Sequence, residues 1–329
     1  MNSIPDLDDI RAAAQRIKPY LHHTPVLSST AINDMCGAQL FFKCENFQKV
    51  GAFKARGAVN AVLSLPDDEI VNGVATHSSG NHAAALAFAA RIREIPAFIV
   101  MPKNAPDIKK QAVAGYGAKI TYCSATLKDR EQTLDKVVRE TGASIVHPFN
   151  DYSVIAGQAT AALELLEEEK NLDLLVAPVG GGGLVSGTAL SAHYLSPSTR
   201  VIAAEPEGAD DAKLSFESGV LIPSEKPRTI ADGLLTSLGE KTFDIIRRYV
   251  KDIVTMDDEA IINATCVIFE HMKIVIEPSA AVPLAAILEK RLDVQGLRVG
   301  IILSGGNIDV SELKSSMILK DTKSELNNY

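Results

Sequence analysis

Short apolar runs rich in valine and isoleucine recur along this chain, each separated from the next by a stretch long enough for a helix. That alternation is the strongest constraint on the fold. A parallel strand buried on both faces reads as a continuous apolar run, and its crossover to the next strand is usually helical. The pattern predicts an α/β fold with mostly parallel, twisted sheets covered by helices. Strands are expected over 40–44, 73–76, 97–101, 119–123, 144–147, 172–178, 200–204 and 298–303. Helices are expected over 6–18, 82–93, 105–114, 127–140, 154–169, 184–193, 257–272 and 279–290. Asp151 is placed to open one helix, with Ser153 nearby, while Gly115 and Gly142 fall just past two helix ends, where left-handed backbone is needed.

With 329 residues, 46% of them apolar and 22% charged, the chain can bury a sizeable core as one large or two medium domains. A net charge of -8 and the lack of a long Lys/Arg run argue against nucleic acid, whose phosphates need a basic footprint, and leave small molecules as the expected ligands. The first residues carry no basic or apolar signal segment, and no stretch approaches the roughly 18 apolar residues of a membrane span. A cytoplasmic location without a membrane partner is therefore expected. Cys36, Cys44, Cys123 and Cys266 lack CxxC spacing, which suits reduced thiols and signals neither disulfides nor zinc. The tail after Val310 is polar, expected to fray, and too short for a further regulatory domain.

Gly180, Gly181, Gly182 and Gly183 stand directly between an expected strand and an expected helix that begins at Leu184. Four residues without Cβ let successive N–H groups turn inward, and the helix adds the positive end of its dipole, so the loop reads as a phosphate cradle. The plainer reading is a tight turn that permits close packing. A P-loop would need Gly-Lys-Ser/Thr here, and the dinucleotide pattern fails because Val185 or Ser186 occupies the last glycine's place. Glu205, one strand later, keeps a nucleotide fold open as an alternative. Ser78, Ser79, Gly80, Asn81 and His82 form a second strand-turn-helix passage, which either binds a carboxylate and a phenolate-like oxygen or simply caps a helix. Ser304, Gly305, Gly306 and Asn307 follow the last strand, where ligands of open α/β sheets collect.

These loops, taken with Lys54 in the run Lys43-Cys44-Glu45-Asn46-Phe47-Gln48-Lys49-Val50-Gly51-Ala52-Phe53-Lys54, resemble the fold-type II enzymes that use pyridoxal phosphate (PLP). Within that group the chain is similar to the serine/threonine dehydratase and serine racemase branch, from Thr24 to Asn307. The resemblance implies that Lys54 carries the cofactor's aldehyde, that Phe53 flanks its ring, and that Asn81 bonds its 3′-oxygen. It implies that Gly180, Gly181, Gly182, Gly183 and the amide of Leu184 hold the phosphate and that Ser304 bonds the ring nitrogen. A neutral serine there leaves the ring largely unprotonated, which favours β-elimination or racemisation over transamination. The implied architecture is two domains, residues 1–72 with 150–329 and residues 73–149, the smaller closing over substrate, in a homodimer.

His82 after Asn81 looks dehydratase-like, and Ser79 resembles the racemases' second acid/base group, although it also suits a helix cap. Ser78, Ser79, Asn81, His82, Arg130 and Gly233 are the expected substrate contacts. Arg130 would bind a second carboxylate if it faces the pocket, making 3-hydroxyaspartate a substrate, and is otherwise an ordinary surface ion pair. Glu205, the Ala209 carbonyl and Asp211 match the racemases' spacing for a Mg²⁺ or Ca²⁺ site, with Mn²⁺ also admissible, though solvated acidic turns look alike. Glu277 resembles a family position near the cofactor and receives no proton-transfer role. His22, His23, His77, His147, His193 and His271 show no ligand spacing and read as surface or core histidines. The activity implied is removal of the Cα proton from L-serine or L-threonine by Lys54. Loss of the β-hydroxyl then yields 2-oxo acid plus ammonia, or a proton from Ser79 yields the D-isomer. Alternatives are a threo-3-hydroxyaspartate dehydratase and, more distantly, a nucleotide-binding oxidoreductase or a non-catalytic binding protein.

Overall fold

The computed structural model describes residues 1 and 3–309, so the tail after Val310 lies outside the described residues. Among the described residues ten strands form two sheets: β1 (Val26–Leu27), β2 (Gln39–Cys44), β3 (Val74–His77), β4 (Ala97–Pro102), β5 (Lys119–Cys123), β6 (Ser144–Ile145), β7 (Leu174–Pro178), β8 (Arg200–Pro206), β9 (Asp252–Met256) and β10 (Arg298–Leu303). The larger sheet has the order β1-β2-β10-β7-β8-β9 and the smaller β5-β4-β3-β6. Among the described strands only the β1–β2 pair is antiparallel. The expected α/β class is therefore met.

β10 joins the interior of the larger sheet late in the chain, pairing Leu303 with Cys44 on one side and Ile301 with Val176 on the other. One face of this sheet packs on the helices Asp258–Met272 and Pro278–Leu288, with Leu40, Phe42, Val176 and Ile301 fully buried. The other face packs on Tyr152–Glu168 and Gly183–Leu195, through Leu165, Leu175 and Val185. Each such Leu, Ile or Val contributes about 1.5–3 kcal/mol on burial. The smaller sheet shares a separate core with the helices Asn81–Ile92 and Lys54–Ser64.

Parallel topology gathers the candidate loops. β2, β10 and β7 are neighbours, and from their carboxyl ends leave the Lys54 segment, the Ser304 loop and the glycine loop. β3 of the other sheet leads in the same way into Ser78.

Two strands, β1 and β9, lie outside the sequence expectation, the first because two residues carry no period and the second because Asp252 and Thr255 dilute an edge strand. The helix Lys54–Ser64 also escaped the period, since Ala55 through Val62 are all buried, Arg56 and Asn60 included, and no side chain caps its start. The helices Thr30–Cys36, Asp211–Ser218 and Glu240–Tyr249 were likewise unread. Asp151 accepts the amides of Ser153 and Val154, and Gly142 ends its helix at φ 72, both as expected. Gly115 instead closes its helix, and the left-handed position is Gly117 at φ 86, because the helix runs one residue longer.

Candidate active site

Lys54 begins its helix immediately after a stretch stitched to the far end of the chain. The amide of Phe53 donates to the Ser304 carbonyl at 3.0 Å, Ala52 bridges Gly305, and the Gly306 amide donates to Gly51 at 2.9 Å. These bonds hold Lys54 beside the loop that follows β10. Its amine donates to the Pro148 carbonyl at 2.9 Å and lies 5.1 Å from the Phe53 ring centre and 6.0 Å from that of Phe149. Burial pushes the amine down to about 8, with Glu277 pulling it the other way. A lysine so shifted is about a tenth neutral at pH 7, far more than an ordinary lysine, and is competent as nucleophile or base.

Phe149 connects this amine to the glycine loop. A Cβ built on Gly181 would lie 2.2 Å from the Phe149 ring, and one on Gly180 would lie 2.9 Å from the Leu234 backbone. Gly182 sits at φ 85, and its Cβ would meet Leu238 and Thr242. The glycines thus serve the close packing foreseen as the plainer reading. They also leave the start of the helix Gly183–Leu195 without any side-chain cap. An uncapped start on a 13-residue helix beside a glycine loop offers amides and a positive dipole end to an anion.

On the opposite side, Gly80 precedes the helix Asn81–Ile92, again without a side-chain cap. The Ser78 hydroxyl accepts the Gly80 amide, while Ser79 stands half-buried in the same turn. Asn81 donates to both oxygens of Glu277, at 2.9 and 3.1 Å, and accepts from Asn307 at 2.9 Å. Glu277 is buried, and burial followed by the charge of Asp232 pushes its carboxyl up to about 7. Gly305 and Gly233 crowd it: a Cβ on the former would come within 2.8 Å of its carboxylate oxygen. Gly233 donates to the Ser279 hydroxyl and so belongs to this neighbourhood. Lys109, from the helix Asp107–Gly115, pairs with Asp232 across the two sheets. A cleft of about 470 Å³ opens here, walled by Gly80, Asn81, Lys109, Tyr116 and Asn307. Its walls include Asn81 of this turn but neither Lys54 nor the glycine loop.

Around the amine lie His82, expected as a substrate contact, and His147, with His77 beside them; the last two are histidines that sequence spacing left as ordinary. Burial lowers all of them, aided by the Lys54 charge at His82 and by His77 and Lys54 at His147, which falls to about 4. His147 Nδ1 accepts the Asn150 amide at 2.9 Å, and His82 Nε2 lies 3.3 Å from the Val146 carbonyl, leaving a buried, unpartnered Nδ1. Neutral imidazoles therefore line this flank. Arg130 depresses His77 through its charge, which sets it near the end of β3, and its Nε is buried without a partner. Ser304 is buried between β10 and the Lys54 segment.

Glu205 ends β8 fully buried, and its two oxygens accept the amides of Ala212 and Lys213 at the start of the helix Asp211–Ser218. Asp211 accepts the Leu238 amide through Oδ2 while its buried Oδ1 has no partner. Burial pushes Glu205 up to about 9 and Asp211 to about 7. Among the described residues no group of three or more His, Cys, Asp or Glu side chains stands together to hold a metal. An orphaned carboxylate oxygen and a neighbouring buried carboxyl fit a hard cation that would take the Ala209 carbonyl as a third ligand.

A family model described as pyridoxal-phosphate dependent enzyme matches residues 17–305. The chain is similar to a beta-hydroxyaspartate dehydratase of Paracoccus denitrificans, with 52% identity over 310 residues covering 94% of this chain and 98% of that protein. It is 49% identical to a serine racemase of Oryza sativa subsp. indica, covering 95% of this chain and 94% of that one. The solved structure of maize serine racemase superposes with a TM-score of 0.92 at 46% identity, covering 98% of this chain and all of the other.

Proposed function

The chain belongs to the pyridoxal-phosphate dependent enzymes, and from this premise we propose that it removes the Cα proton of L-serine or a related β-hydroxy amino acid, as a lyase with racemase activity. The observation that carries the reading is a half-buried Lys54 with weakened hold on its proton, held beside Phe53, Phe149 and the Ser304 loop. When bound, pyridoxal phosphate supplies an electron sink for the negative charge left at Cα. Lys54 would hold its aldehyde carbon, Phe53 would flank the ring and Ser304 would face the ring nitrogen. Gly180, Gly181, Gly182, Gly183 and the Leu184 amide would hold the phosphate. Asn81 would reach the 3′-oxygen with the amide hydrogen not committed to Glu277.

The uncapped turn of Ser78, Ser79, Asn81 and His82 would take the substrate carboxylate. Lys54, once free, takes the Cα proton. Departure of the β-hydroxyl and hydrolysis then give a 2-oxo acid and ammonia, whereas a proton delivered by Ser79 gives the D-isomer. Positioned proton donors of this kind contribute on the order of 10²–10⁴-fold. Hydroxyaspartate dehydration is the second reading, favoured by the relative at 52% identity and by the buried, unpartnered Nε of Arg130. That guanidinium would bind the extra carboxylate.

A Mg²⁺ or Ca²⁺ ion, with Mn²⁺ admissible, would sit on Glu205, Asp211 and the Ala209 carbonyl in a structural or activating role. Two domains, 1–72 with 150–329 and 73–149, would close on substrate, and the enzyme would work as a cytoplasmic homodimer. Among the described residues no helix is long and apolar enough to cross a membrane.

The test is spectroscopic and then chemical. Purified protein should absorb as a lysine-bound pyridoxal compound, and borohydride should fix the cofactor's mass to the peptide containing Lys54. Colourless protein, or mass on another lysine, would refute the reading. Product assays on serine, threonine and 3-hydroxyaspartate in each stereochemical form then separate the two substrate readings.

A further inference from the structure

Arg56, two residues beyond Lys54, is fully buried and uses every donor of its guanidinium. Its Nε and one terminal nitrogen donate to the two oxygens of Glu45, at 2.7 and 2.8 Å. Its terminal nitrogens also donate to the two oxygens of Glu164, at 2.7 and 2.8 Å, and to Thr160 at 3.1 Å. Lys43, also fully buried, joins the same Glu164 oxygen at 2.7 Å and the Thr24 carbonyl at 2.6 Å. Burial alone would lower the affinity of Arg56 for its proton, but the two glutamates raise it, and burial alone would raise Glu164, which Arg56 and Lys43 bring below its ordinary value. Arg56 and Glu164 are thus held charged, and every member of the cluster is paired.

The geometry of this cluster is directed at the Lys54 turn. Glu45 lies in the short turn after β2, and Glu164 lies on the helix Tyr152–Glu168. The helix that Lys54 begins has no side-chain cap of its own. Its Gly57 amide donates to Gln158 at 3.1 Å, and its Asn60 side chain donates to the Ser153 carbonyl at 2.7 Å, both on that same neighbouring helix. The Pro148 carbonyl that receives the Lys54 amine lies just upstream of it. We infer that Arg56 is the positioning residue of this site: its two bidentate pairs lock the first turn of the Lys54 helix between Glu45 and Glu164, and so fix where the amine stands. A planar fork does this where a point charge cannot, because only the fork satisfies two carboxylates edge-on at once. The inference rests on Lys54 being the reacting amine.

The experiment reads the amine directly. In the full-length chain freed of cofactor, the pH dependence of Lys54 acylation by a small anhydride, followed by mass spectrometry of its peptide, gives the midpoint for loss of its proton. Glu277, His82 and His147 are the other titratable groups that act on the amine, and none is a partner of Arg56. The wild-type midpoint should lie at about 8. Arg56→Lys and Glu164→Gln should each move it up by about one pH unit or more toward the ordinary lysine value, because a loosened turn lets the amine reach water. Leu163→Ala, chosen to lower thermal stability through the buried cluster around Ile10 on the same helix, should leave the midpoint in place. In the holoenzyme the two network variants should lose kcat more than they raise KM. If Arg56→Lys does not fold, Glu164→Gln, at the cluster's partly exposed edge, decides alone. A midpoint that stays at about 8 in the network variants, or that moves equally in Leu163→Ala, overturns the positioning role. Wild-type protein that never binds the cofactor at Lys54 overturns the functional reading instead, so the two failures are distinguishable.

Discussion

Ser79 occupies a turn whose neighbours make named contacts with the protein. Ser78 accepts the Gly80 amide, Asn81 bridges Glu277 and Asn307, and His82 reaches Val146, while Ser79 is the hydroxyl proposed to deliver a proton. Ser79→Ala should keep L-serine dehydration near the parent rate and lose D-serine formation by about 10²-fold or more, read by chiral product analysis. Unchanged D-serine output would remove the residue from the mechanism. Glu277 carries a different prediction. Its carboxyl titrates at about 7 in the folded chain, above its ordinary 4.5, so the folded state holds a proton that the unfolded state has released. The resulting stability is fully present below about pH 4.5 and is lost as pH rises through 7, an effect on the order of 3 kcal/mol. Glu277→Gln should flatten the fall of the cofactor-free protein's Tm across that window. Lys54, Asn81 and the glycines were legible in the sequence because each sits in a compact motif. Phe149, Glu277's bond to Asn81 and the approach of His77 and His147 to His82 were not, because residues far apart in sequence meet there only through the packing of two sheets.

The helices Lys54–Ser64 and Tyr152–Glu168 meet through small residues as well as through ions. A Cβ on Gly157 would stand 2.5 Å from the Arg56 carbonyl oxygen and 2.7 Å from the Gly57 Cα, both backbone atoms that cannot turn aside. Gly157→Ala should therefore destabilise the protein by about 1–3 kcal/mol in urea titration and loosen cofactor binding, since the helix it displaces is the one Lys54 begins. Retention of both would show that the helices separate without consequence for the amine. The strands with uninterrupted Val and Ile were readable because burial on both faces imposes that composition, and most of their helices followed from period and caps. The Lys54 helix was not, because a helix buried all round, holding an arginine and an asparagine inside, has no polar stripe to reveal it.

Across the whole molecule, the proposed cation site is tied to the glycine loop. Asp211 accepts the Leu238 amide, and Leu238 packs where a Gly182 Cβ would lie, so the loop and the carboxylates share one support. Chelation should lower activity and cofactor retention together, and Asp211→Ala should abolish the response to chelator. Full activity in metal-free wild-type protein would dismiss the ion. The α/β class and the parallel topology were legible from the alternation of elements, but the order of strands was not. No local feature says that β10 belongs between β2 and β7. That insertion has a consequence for biosynthesis. Until Arg298–Leu303 leaves the ribosome, the nascent chain holds two partial sheets with bare inner edges, and the segment ahead of Lys54 has no Ser304 to tie to. The Lys54 amine should therefore be set in place only after that strand has emerged and inserted between β2 and β7.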